Sequence, residues 1–140
     1  MEKRMNKKEL LDLIKTLKLD KQEFWLLSSS ALVLRDLYPD AGDLDIAVTN
    51  KGLEELKQNY NLIQKENGWF IVTDKIECVC DGEKEELKYQ PELIEGYYVQ
   101  NLQEYYEYLI QSTREKDKAR IAIAEKALRL KEEYNEKINH

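Results

Sequence analysis

Histidine is almost absent from this chain: there is one in 140 residues, at position 140. That leaves no imidazole in the body of the sequence for acid–base work or for a histidine-rich metal site. Cysteine is nearly as scarce, with both copies in "ECVC" as Cys78 and Cys80. On a strand, side chains at i and i+2 share a face, but their backbones lie too far apart for an easy bridge. No second cysteine pair or nearby histidine completes a zinc set, so both thiols are expected to be reduced and in the core. Two prolines and five glycines exclude a collagen-like or low-complexity chain. Long apolar runs are missing too. The opening "MEKRMNKKELLDLIKTLKLD" breaks its apolar positions with charge, and is expected to be neither a signal peptide nor a membrane span. A cytoplasmic chain without membrane association is the expectation. An excess of basic residues is also lacking: 22 Lys and Arg stand against 28 Asp and Glu, a net charge of -6. That balance opposes an extended DNA or RNA footprint, which a phosphate backbone rewards only on a basic face.

What is present is a chain 42% hydrophobic and 36% charged, enough to build one globular domain over residues 1–140. Its core is expected over about residues 22–100, with a C-terminal helical segment over 101–140. "NKKELLDLIKTLKL" pairs Asn6 with Glu9 in capping-box spacing and sets Leu10, Ile14 and Leu17 on one helical face. "EFWLL" suits a short buried strand, and residues 29–38 read as a helix that starts at the serines. After a turn marked by Pro39, Asp40 and Gly42, "DLDIAV" alternates: Asp43, Asp45 and Ala47 on one face, Leu44, Ile46 and Val48 on the other. Residues 51–66 read as a helix carrying Leu53, Leu56, Tyr60 and Ile63, closed by Asn67 and Gly68. "WFIVT" and "KIECVC" form a hairpin about Asp74 and Lys75. Residues 81–96 read as a loop, and residues 97–100 as a last short strand. Two helices follow: one capped by Asn101 with Glu104, the other long, charged and carrying Ile121, Ala124 and Leu128 on one face. This order predicts an α/β (α+β) domain with one mixed sheet flanked by helices.

If the strand at 43–48 pairs with the strand at 76–80, Ile76, Cys78 and Cys80 take the core face and Glu77 joins Asp43 and Asp45 on the other. Three carboxylates in one place repel unless a cation joins them. Magnesium suits such a site, because it is held by one or two carboxylates plus substrate phosphates. Ser28, Ser29 and Ser30, at a strand-to-helix turn, offer backbone N–H groups and hydroxyls to those phosphates. Tyr97, Tyr98, Tyr105, Tyr106 and Tyr108 have the spacing of half-buried packing residues.

"LLSSSALVLRDLYPDAGDLDIAV" resembles the signature of the polymerase-beta-type nucleotidyltransferase superfamily. In that signature a hydrophobic strand, a small-residue turn and an Ala-Leu-x-Leu helix precede an Asp-x-Asp strand. The likeness is strongest to the minimal nucleotidyltransferases, the group of antibiotic-modifying enzymes and nucleotidyltransferase toxins, and covers about residues 22 to 130. "KIECVCDG" stands where the family has its third acidic residue, and "YYVQNLQEYYEYLIQSTREKDKARIAIAEKAL" is similar to its closing segment. The resemblance implies the nucleotidyltransferase fold, with Asp43, Asp45 and Glu77 as catalytic and metal-binding residues. It implies that Ser28, Ser29, Arg114 and Lys116 contact the nucleotide phosphates. Four positions depart from the pattern. Serine replaces glycine at 28 and 29, removing the freedom to take positive φ; glutamate replaces aspartate at 77; and Leu109 stands where relatives commonly carry lysine.

The resemblance thus implies a magnesium- or manganese-dependent transfer of a nucleoside monophosphate from a nucleoside triphosphate to a hydroxyl acceptor: a small molecule, an RNA end or a protein side chain. A chain this short leaves little room for an acceptor-specificity module, so a homodimer or partner chain is expected to complete the pocket. The alternative is a catalytically inactive nucleotide-binding or interaction module of the same fold, as in one half of a toxin–antitoxin pair.

Overall fold

A computed structural model describes residues 4–138, so His140 lies outside the described residues. The chain divides into two compact units, one ending at Gln100 and one beginning at Asn101. Among the described residues they carry five α-helices and one mixed seven-stranded sheet, an α+β composition. No described helix is long and apolar enough to cross a membrane.

In the first unit, α1 (Lys7–Thr16) begins with the capping box read from the sequence, Asn6 and Glu9 exchanging side-chain-to-backbone hydrogen bonds. It buries Leu10 and Ile14. Strand β1 (Phe24–Leu26) follows, then α2 (Ser28–Leu34), β2 (Leu44–Val48) and α3 (Asn50–Asn59). Next come β3 (Ile63–Gln64), β4 (Phe70–Thr73), β5 (Ile76–Val79), β6 (Glu92–Ile94) and β7 (Tyr97–Val99). The sheet order is β3-β4-β5-β2-β1-β7-β6. Its centre mixes directions: β2 is antiparallel to β1 and parallel to β5, and β1 is parallel to β7. The remaining neighbours are antiparallel.

The alternation in "DLDIAV" decides which face is core. Leu44 stands opposite Ile76 and Ile46 opposite Cys78, and all four are buried in one cluster with Leu10, Ile14, Phe24 and Leu26. Cys78 is free, and burial pushes its thiol up to about 12, so it behaves as a small apolar residue. Cys80, also free, is half-buried rather than enclosed. Tyr97 is buried and packs against Phe24 with ring centroids 6.5 Å apart, the packing role its spacing suggested.

Three sequence expectations need correction. The helix after the serines stops at Leu34 instead of reaching position 38. Asp36 takes φ 62, and Leu37 N–H reaches back to the Leu32 carbonyl at 2.9 Å. This left-handed close satisfies the last carbonyls and ends the helix early. Ile63 does not extend α3: it lies on β3 paired with Ile71, and is 62% exposed. Asn67 and Gly68 turn a hairpin there, with Gly68 at φ 89 and Lys65 N–H donating to the Trp69 carbonyl at 2.7 Å. An Asn-Gly pair serves either a helix end or a hairpin, and the pairing of β3 with β4 makes it the hairpin turn here. The segment 81–96 likewise contains a 3-10 turn (Lys84–Glu86) and strand β6. Glu92 of β6 accepts from Arg35 at 2.7 Å, and the Arg35 side chain is only 8% exposed. This shielded pair ties the end of α2 to the sheet edge.

The second unit is a pair of helices, α4 (Leu102–Gln111) and α5 (Glu115–Ile138). Asn101 caps α4 by accepting from the Gln103 N–H at 2.9 Å, and Leu109, where the family pattern has lysine, is fully buried. Tyr105 is buried and stacks on the half-exposed Tyr108 at 6.2 Å. The turn into α5 is held by Asp117, whose side chain is 1% exposed. It accepts from Ser112 Oγ at 2.6 Å and from Arg114 at 3.0 and 3.2 Å. Burial alone would raise the Asp117 carboxyl; the Ser112 and Arg114 hydrogen bonds outweigh burial and hold it below its ordinary value of 3.8.

A carboxyl lowered on folding adds stability that is present above its unfolded value and disappears as pH falls through the folded one. Asp117→Asn should therefore cost about 2–3 kcal/mol near pH 7. That deficit should shrink as pH drops below 3.8, read from urea midpoints of wild type and variant at matched pH.

Candidate functional site

The antiparallel register of β1 with β2 ends at Leu26 opposite Ile46. The chain leaving β1 therefore arrives beside the start of β2, and the Leu27 N–H donates to the Asp45 carbonyl at 2.9 Å. The serine turn and the Asp-x-Asp strand are brought together by this pairing. The bond between them is completed by Ser30, which is fully buried. Its Oγ donates to the Asp43 carbonyl at 3.0 Å and accepts from the Asp45 N–H at 3.3 Å. One hydroxyl thus fixes the backbone on both sides of Leu44. Sequence reasoning grouped Ser30 with the phosphate turn; its structural task is to set the aspartates.

Ser28 and Ser29 are half-buried at the start of α2. Serine was expected to deny this turn a positive φ, yet Ser28 adopts φ 53. The left-handed region costs a side-chain-bearing residue roughly 1–2 kcal/mol, and surrounding bonds must maintain it. Gln100 does so from the end of β7. Its N–H donates to the Leu26 carbonyl at 2.7 Å and its Oε1 accepts from the Ser28 N–H at 3.1 Å. The turn keeps the backbone shape a glycine would favour.

The parallel register of β2 with β5 sets Asp45 opposite Glu77, the arrangement expected if these two strands pair. Both carboxylates are half-buried, as is Asp43. The same row continues outward: Glu77 stands opposite Ile71 on β4, and Ile71 opposite Ile63 on β3. Lys65, two residues beyond Ile63, therefore returns to the face that carries Asp45 and Glu77. Its Nζ lies 2.6 Å from Glu77 Oε1. The Glu77 hydrogen bond and charge raise the Lys65 ammonium above 10.5, with smaller pulls from Asp45 and Asp43. One cation therefore senses all three acids. The sequence reading missed Lys65 because it assigned the segment to a helix; recognition of Asn67-Gly68 as a hairpin turn would have found it.

The donor chemistry of this face suits a hard divalent cation. Asp45 lies on β2 with Glu77 opposite it on β5, and Asp43 stands in the bend that enters β2, one residue before the strand begins. No three His, Cys, Asp or Glu side chains among the described residues are grouped closely enough to enclose a metal ion by themselves. Magnesium seldom asks for such a cage, since two carboxylates, water and phosphate oxygens commonly complete its shell.

Arg114 and Lys116 belong to the second unit. The Arg114 guanidinium is engaged by Asp117, and Lys116 is exposed. Within that unit Arg114 has a structural partner that the sequence reading did not anticipate.

Two substitutions separate the scaffold from the turn. Ser30→Ala should lower stability by about 1–2 kcal/mol through loss of the buried bridge. Ser28→Gly should raise it by about 0.5–1 kcal/mol, the relief of the left-handed backbone exceeding the added unfolded-state freedom. Urea denaturation of each purified variant measures both.

No family model matches the chain, and neither a curated protein nor a solved structure matches it.

Proposed function

We propose that this chain is a metal-dependent nucleotidyltransferase of the polymerase-beta-like kind, which moves a nucleoside monophosphate from a nucleoside triphosphate to a hydroxyl acceptor. The observation that carries the reading is the β2–β5 register, which sets Asp45, two residues after Asp43, beside Glu77. Asp43, Asp45 and Glu77 would hold magnesium or manganese, which would supply neutralising charge and orientation for the triphosphate. The Ser28–Ser29 turn would receive phosphate oxygens, with the Ser28 N–H exchanging its Gln100 partner for one of them. The acceptor oxygen would form a bond to the α phosphorus as the bond to the bridging oxygen of pyrophosphate breaks. Glu77 would take the proton of the attacking hydroxyl. This chemistry needs no serine, cysteine or histidine nucleophile. The net charge of -6 favours a small molecule or a protein side chain over an extended RNA as acceptor.

A second reading, a nucleotide-binding or interaction module without turnover, is favoured by the internal partners already present. Gln100 engages the Ser28 N–H and Lys65 engages Glu77.

Thermal melts of wild type and Asp45→Asn with each of the four nucleoside triphosphates, with and without magnesium, separate the readings. At ligand about 100-fold above Kd, one nucleotide with magnesium should raise the wild-type Tm by about 5 °C or more. Asp45→Asn should abolish the magnesium-dependent part, together with transfer of α-labelled nucleotide to acceptor. Absence of any magnesium-dependent shift overturns the enzymatic reading, and nucleotide binding that survives Asp45→Asn without transfer supports the second.

A further inference from the structure

We infer that Lys65 is a tethered counter-ion of the Asp43–Asp45–Glu77 face, and that a divalent cation must displace it to bind there. The inference rests on the metal-site reading of that face and adds to it a competitor carried by the chain itself. Lys65 Nζ sits 2.6 Å from Glu77 Oε1, in direct charge-assisted hydrogen-bond contact. The oxygen it holds is one that the proposed metal site would use. Magnesium coordinates oxygen at about 2.0–2.1 Å, so an ammonium and a dication on the same carboxylate repel at close range. They occupy Glu77 in exchange.

The place of Lys65 in the fold suits an exchanging group. It follows β3, a two-residue edge strand whose sole ladder partner is β4. Neither β3 residue is buried; Ile63 and Gln64 are both exposed. The Lys65 backbone is pinned by its N–H bond to the Trp69 carbonyl, so the side chain can swing while the hairpin stays. The Lys65 and Glu77 side chains are 39% and 25% exposed, and ion pairs this open to water are weak enough to break. When a metal enters, the released ammonium remains near the ligand that travels with the metal, the triphosphate.

Calorimetric titration with manganese alone, without nucleotide, tests the exchange on the full chain. Lys65→Met should bind manganese about three- to tenfold more tightly than wild type, as removal of one nearby, partly screened positive charge implies. Lys65→Arg keeps the charge and should stay within about twofold of wild type. Lys8→Met on α1 should do the same, which excludes a mere change in net charge. Lys65→Gln carries the same expectation as Lys65→Met, and far-UV circular dichroism confirms that each variant is folded. Equal or weaker manganese binding by Lys65→Met and Lys65→Gln, while wild type binds, overturns the counter-ion and leaves the nucleotidyltransferase reading standing. If neither wild type nor the folded variants bind manganese, the counter-ion inference falls, while the nucleotidyltransferase reading stands or falls on the magnesium-dependent nucleotide shift.

Discussion

Placing one carboxylate beside another on neighbouring strands is an electrostatic cost, and the first unit is organised around the pairing that imposes it. The β2–β5 register is driven from the opposite face, where Leu44 meets Ile76 and Ile46 meets Cys78 in the core. A slip of one residue would turn those apolar groups outward and bring the acids inside. Hydrophobic burial thus enforces the row of like charges that electrostatics alone would oppose. Ser30 then holds the aspartate backbone from α2, and the Leu27 bond holds it from β1. The acids are where they are because the core cannot be satisfied otherwise.

Much of this was legible in the residues. Period-two alternation in "DLDIAV" and "KIECVC" was sufficient to name the strands and their core faces; the pairing of Asp45 with Glu77 followed only if the two strands were neighbours, which the sheet order supplies. The capping box at Asn6 and the cap at Asn101 announced two helices through local chemistry. What escaped was decided by context. Ile63, at a helical interval from Tyr60, read as a helix residue because a two-residue edge strand has too little alternation to identify itself. Glu92 lay in a polar stretch whose strand exists through β7 and the buried Arg35. Ser28 defied its own preference because Gln100, 72 positions away, holds the turn. Asp117 lies in the charged start of α5, and its burial depends on the bend between two helices.

The two units handle buried polarity by the same means at different scales. In the second, one carboxylate gathers a hydroxyl and a guanidinium from within five positions of itself. In the first, one hydroxyl from α2 reaches two backbone groups thirteen and fifteen positions away. The former is a local turn device that its own helix pair completes. The latter cannot exist until strand, helix and strand have returned upon one another.

That difference bears on how the chain reaches its native state. Asp45 and Glu77 lie on parallel strands, which no tight turn can join, so their row awaits closure of a segment that includes α3 and the β3–β4 hairpin. Long-range pairings of this kind form late and slowly compared with local helices. Nascent or partly unfolded chains therefore hold the acids dispersed. The polar face comes into being only when β2 and β5 pair, so it exists in the folded sheet and not in its separate pieces.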